Sequence, residues 1–125
     1  MKDIILEIGE IVLEATIDDT PTAQAILKAL PFESSADTWG DEIYFPVSFT
    51  AELEEDAPEE EDVGTIGYWP PSKAFCMFFG PTPVSTSEKP RGYSAVNICG
   101  KIHGDLMDFR NITPGEKIKV EVIDE

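Results

Sequence analysis

The first seventeen residues alternate apolar and polar side chains with a period of two, and that rhythm restricts the folds open to this chain. Ile4, Leu6 and Ile8 share one parity, Gly9-Glu10 supplies a turn, and Ile11, Leu13, Ala15 and Ile17 resume the alternation. A strand turns successive side chains to opposite faces, so this pattern puts one face on a core and the other in water. The rhythm returns after Trp39-Gly40-Asp41, which is turn chemistry. Ile43, Phe45, Val47 and Phe49 share one parity, and Glu42, Tyr44, Pro46 and Ser48 the other. Pro46 lacks a ladder donor and points to an edge or a bulge. Further strands are expected over Thr65 to Trp69, Ala74 to Phe79 and Ala95 to Ile102, and through Ile118, Val120 and Val122.

Only two segments look helical. Thr20 is a natural N-cap and Pro21 suits the first helical position, where no N–H is needed. Ala23, Ile26, Leu27 and Leu30 then fall on one face, and Pro31 stops the run. A second short helix is expected over Gly104 to Ile112. About eight strands with two short helices, and no alternating strand–helix rhythm, point to a mainly β chain. Its expected form is a closed eight-stranded antiparallel barrel capped by those helices. A chain of 125 residues without a visible repeat is expected to be a single domain over residues 1–125.

Acidity sets the next limits. Twenty-five acidic against nine basic side chains give a formal charge of −16. Such a field repels nucleic acids and anionic membranes and tolerates neutral or cationic partners. Eight of the eleven residues from Glu52 to Asp62 are acidic, so a mobile acidic surface loop is expected over residues 51–63. A docking site for a basic protein partner is a further reading of that loop, and a homodimer is left open. No signal-like start and no apolar run near twenty residues is present, which suits a cytoplasmic protein. Cys76 and Cys99, the two cysteines, sit in apolar stretches and are expected to be reduced and buried.

The segment "GYWPPSKAFCMFFGPTP", Gly67 to Pro83, gathers six aromatic or methionine side chains and four prolines. Taken alone, both faces of its second strand read as core. The order of three segments, "PTAQAILKALP", "GTIGYWPPSKAFCMFFGPTP" and "VNICGKIHGDLMDFRNI", resembles the cyclophilin fold. More closely, "TWGDEIYFPV" with "IGYWPPSKAFCMFFGPTP" resembles a small archaeal and bacterial cyclophilin-like family of uncharacterised function. The resemblance implies an eight-stranded barrel capped by helices, with a pocket on its outer face beside Phe78 and Phe79. It also implies that Phe75, Met77 and Phe79 face that groove, while Cys76 and Phe78 face the barrel interior.

Prolyl isomerisation must lower a barrier of about 18–20 kcal/mol set by amide resonance. Cyclophilins place an arginine donor near the proline nitrogen, and the corresponding region here, "ESSADTWGDEIYF", contains none. Arg91 and Arg110, the two arginines of the chain, lie in a polar loop and in the closing helix. Isomerase activity is therefore an open alternative that lacks its usual electrostatic partner. His103 is a lone histidine and reads as a turn residue; no zinc spacing, nucleophile elbow or phosphate loop is visible. The expected site is an aromatic groove for a short proline-containing peptide or a small molecule, with no cofactor and no metal. Its wall would comprise Trp39, Tyr44, Tyr68, Trp69, Phe75, Met77 and Phe79, with Glu42 as the polar anchor. Asn97 is a weaker candidate, because an amide among apolar neighbours more often bonds backbone.

Overall fold

A computed structural model describes residues 2–123, and nine strands in it form one antiparallel sheet. They are β1 (Lys2–Ile8), β2 (Ile11–Ile17), β3 (Phe32–Ser35), β4 (Asp37–Thr38), β5 (Glu42–Pro46), β6 (Thr65–Trp69), β7 (Ala74–Phe78), β8 (Asn97–His103) and β9 (Lys117–Val122). The order across the sheet is β3-β9-β1-β2-β8-β6-β7-β5-β4. Its two edge strands, β3 and β4, are consecutive in sequence and separated only by Ala36. The sheet therefore closes on itself through a single chain segment.

That segment is one strand broken in two. Phe32 to Ser35 pair with β9, then Asp37 and Thr38 pair with β5. At the break Ala36 is buried, its N–H donates to the Glu116 carbonyl at 2.8 Å, and its carbonyl accepts from Gly115 at 2.8 Å. The barrel thus has eight staves and nine strands. Ile4, Leu6, Ile8, Ala15 and Ile17 point into it, as the alternation predicts.

Helix α1 (Pro21–Ala29) covers one end. The Thr20 hydroxyl accepts from the Ala23 N–H at 3.2 Å, and Ala23 and Ile26 are buried against the barrel. The segment expected as a second helix forms a single 3-10 stretch, Met107–Asn111, that buries Phe109 edge-on against Phe79, with ring centroids 5.6 Å apart. None of the helices among the described residues is long and apolar enough to cross a membrane.

The acidic loop departs from expectation. Most of its charges face water, but Glu61 is buried and the backbone is tied down along its length. Asn97, fully buried at the start of β8, accepts from the Glu54 N–H at 2.7 Å. The same amide donates to the Glu52 carbonyl at 2.9 Å and to the Thr22 hydroxyl at 3.0 Å, and that hydroxyl donates to Glu54 Oε2 at 2.6 Å. Further on, Val96 donates to the Pro58 carbonyl, Gly92 to that of Glu59, and Glu61 to that of Pro90. A buried amide with three fixed partners outweighs the tendency of like charges to extend a chain.

Candidate functional site

Two faces of β7 serve two different environments, and register decides which is which. Residues directly opposite in an antiparallel ladder lie on the same face. Met77 opposes Ile43 and Ile66, and Phe75 opposes Phe45 and Tyr68. All of these are buried in the barrel interior. Cys76 opposes Tyr44, and Phe78 opposes Glu42. Together with Ala74 and Val96, they make a second cluster on the outer flank, against which Tyr44, Trp69 and Ile98 pack.

The orientation implied by the resemblance is therefore reversed. Phe75, Met77 and Phe79 belong to the core, while Cys76 and Phe78 face outward. The expected pair Tyr68 and Trp69 also divides, because neighbours in a strand face opposite ways. Tyr68 is fully buried, and its hydroxyl donates to the Phe49 carbonyl and accepts from the Ala51 N–H, both at 3.2 Å. Asn97 holds the acidic loop rather than lining the flank. Trp39, Glu42, Tyr44 and Trp69 do converge on one cavity.

This cavity of about 360 Å³ is completed by Ser72, Ala74, Cys76, Gly92, Tyr93 and Val96. The last three of these, Gly92, Tyr93 and Val96, belong to the segment 80–96, which supplies one side of the cavity. Within that segment Thr82 Oγ1 donates to the Arg91 carbonyl, and Ser85 Oγ donates to that of Lys89 at 2.8 Å. The Trp39 hairpin is locked to the same segment. Trp39 and Glu42 exchange backbone hydrogen bonds of 2.9 and 3.2 Å, and Asp41 donates to the Pro81 carbonyl at 3.0 Å. Gly40, at φ +59°, lies so close to Thr82 and Pro83 that a β-carbon would collide with them.

Aromatic rings form the walls. Tyr93 is 73% exposed and is steeply inclined to both tryptophans. Its centroid lies 6.3 Å from Trp39 and 6.0 Å from Trp69, with interplanar angles of 61° and 74°. Trp69 is fixed by its indole N–H, which donates to Ser94 Oγ at 2.7 Å. Tyr93 was absent from the expected set. The signal for it was a single aromatic residue inside the polar run "VSTSEKPRGYSA".

Glu42 supplies the one carboxyl group of the lining. Glu42 is only 7% exposed, and burial raises its pKa to about 7, against a smaller opposing pull from its hydrogen bond with Cys76. Glu61, outside the cavity lining, is 6% exposed, and neither of its carboxyl oxygens has a hydrogen-bond partner. Burial first, then the charges of Glu42 and Glu60, push Glu61 to about 8, with Arg91 pulling the other way. Glu61 sits in a run of acids with nothing to mark it, so sequence carries no sign of its burial. Cys76 is fully buried; that burial, then Glu42, lifts its thiol well above the ordinary value, so it stays protonated and unreactive. Cys76 and Cys99 are both free.

None of the residues lining this cavity is basic. Arg91 pairs with Glu59 at 3.0 Å and Arg110 with Asp41 at 3.2 Å. His103 lies elsewhere, on the outer surface of β8, with Nε2 2.6 Å from Thr16 Oγ1. Among the described residues no group of three or more His, Cys, Asp or Glu is arranged to hold a metal ion.

A sequence model described as Cyclophilin-like matches residues 2–121. The chain belongs to the cyclophilin-like family. A hypothetical protein from Archaeoglobus fulgidus, solved in solution, is similar over 98% of this chain and 95% of its own, with 34% identity and a TM-score of 0.81. The structure of McbB in complex with tryptophan covers 98% of this chain and 45% of its own, with 16% identity and a TM-score of 0.71. That second likeness is one of fold. No curated protein matches. This cyclophilin-like barrel thus carries a flank cavity with aromatic walls, a buried acid and no guanidinium in its lining.

Proposed function

We propose that this cyclophilin-like protein is a binding module that accepts a small molecule, or a short proline-containing peptide segment, in its flank cavity without efficient isomerase activity. The observation that carries this reading is the convergence of Trp39, Tyr44, Trp69 and Tyr93 around about 360 Å³ beside one buried acid. Concave, mostly apolar sites with a few fixed polar groups are the common form of ligand pockets. Aromatic walls also suit proline rings, whose chains are preorganised. Titration with an Ala-Pro-Phe peptide should shift the tryptophan emission of the native protein and leave that of Tyr93→Ala unchanged. An unchanged emission in the native protein, with no heat of binding, counts against peptide uptake.

One observation favours isomerase activity through a non-standard site. With its pKa near 7, Glu42 is partly protonated at neutral pH and offers an O–H donor where no arginine stands. A protease-coupled isomerisation assay decides. Catalysis that is lost in Glu42→Ala and kept in Glu42→Gln supports this second reading. No acceleration over the uncatalysed rate rejects it.

A further inference from the structure

We propose that the occupant of the flank cavity is a small free organic cation of the alkylated-ammonium class, held by the Trp39, Trp69 and Tyr93 rings over the Glu42 carboxyl. This inference rests on the binding reading above and names the ligand chemistry for that same site.

Three independent features point to a cation. First, the Tyr93 ring is steeply inclined to both tryptophan rings, at 61° and 74°, so aromatic surfaces bound the space from different directions. The face of an aromatic ring is electron-rich, and ammonium groups close to such faces are attracted, most strongly where water is excluded. Second, the acid in the cavity lining is more than nine-tenths buried, and a second such acid outside the lining, which interacts with it electrostatically, has both oxygens unpartnered. An acid held out of water without a cation is costly, and an incoming positive charge relieves that cost. Third, no lining side chain is basic, the nearby Arg91 is paired with Glu59, and the chain as a whole carries −16, so the net field favours the approach of a cation.

The surroundings favour a free small molecule over a side chain presented by a protein. A peptide laid along the rim would need free backbone groups to pair with. Around the cavity several are already used. Gly92 donates to the Glu59 carbonyl, Val96 to that of Pro58, and the Trp39 and Glu42 backbones bond each other. The cavity volume suits a trimethylammonium group with a short tail.

The test compares three probes by calorimetry and tryptophan fluorescence on the native chain at pH 8: choline, its neutral isostere 3,3-dimethylbutan-1-ol, and a short peptide bearing trimethyllysine. Choline binding at least ten-fold tighter than the isostere supports the proposal, as does loss of that preference in Glu42→Gln. Equal binding of choline and isostere overturns the cation while leaving the cavity as a binding site. Peptide binding stronger than choline binding overturns the free-molecule assignment. Failure of choline and isostere alike overturns the inference. If the Ala-Pro-Phe peptide also fails, the binding reading itself goes. The choline–isostere comparison uses only native protein, so a poorly folding variant does not block it.

Discussion

The charge on Glu42 raises the proton affinity of Glu61, and the two buried acids therefore oppose each other's ionisation. Their pKa values in the fold, about 7 and about 8, lie above the usual 4.5. Between those limits the folded chain holds more protons than the unfolded one, so stability falls as pH rises. The contribution is complete below about pH 4.5 and is lost as pH passes through 7 and then 8. Cys76 faces Glu42, and Glu60 and Arg91 face Glu61; of these, Cys76 and Arg91 moderate the effect and Glu60 adds to it. Urea unfolding of the native chain at pH 5.5 and 8.5 should show a fall, of which Glu61→Gln removes about 3 kcal/mol. Repulsion among the remaining carboxylates is common to both proteins, so the difference between them reports Glu61 together with its interaction with Glu42. Equal falls would contradict the prediction.

Asn97 is the buried anchor of the acidic loop, and its loss should be felt far from its own strand. Asn97→Ala leaves the Glu54 N–H and the Glu52 carbonyl without their partner and removes a bond to Thr22. A cost of about 2–4 kcal/mol is expected for breaking a buried network of this size. Hydrogen exchange should accelerate first at Glu54 and along residues 51–63, ahead of β8. Excision of Glu54 to Glu61 should destabilise the barrel too, since it uncovers Asn97 and Thr22. Native stability after that excision would mean the loop is a passenger.

The fold was largely legible because alternation survives wherever a strand has one wet face. Ile4 to Ile17 and Ile43 to Phe45 point inward as their parity requires. The helix was legible from Thr20 and Pro21 for equally local reasons. β7 was not, because all five of its residues are buried and both faces are apolar. Parity then gives two sets without saying which is inside, and only the pairing of Cys76 with Tyr44 decides. Period two did offer one check. If Glu42 and Tyr44 face outward, their partners on β7 do too, which excludes Met77 from that face. Trp39, Glu42, Tyr44 and Trp69 were found at the cavity because each stands out against a polar or alternating background. Tyr93 and Glu61 arrive from loops, and their positions follow from long-range backbone bonds that no local pattern encodes.

The two faces of β7 should separate in mutagenesis. Met77→Ala empties space inside the barrel, where its neighbours Ile43 and Ile66 are themselves fully buried. A loss of about 2–4 kcal/mol is expected for such a truncation, because the surrounding strands relax only in part. Its cavity on the flank keeps its lining, so choline affinity in the folded fraction should change by less than about three-fold, well under 1 kcal/mol. Tyr93→Ala should do the reverse. The ring is mostly in water, so its removal should cost under about 1 kcal/mol of stability. It removes one wall of the cage, and choline affinity should fall at least ten-fold. Denaturant melts and calorimetry on the two variants measure both quantities. A destabilised Tyr93→Ala that binds normally, beside a stable Met77→Ala that does not, would show that Met77 faces the flank after all.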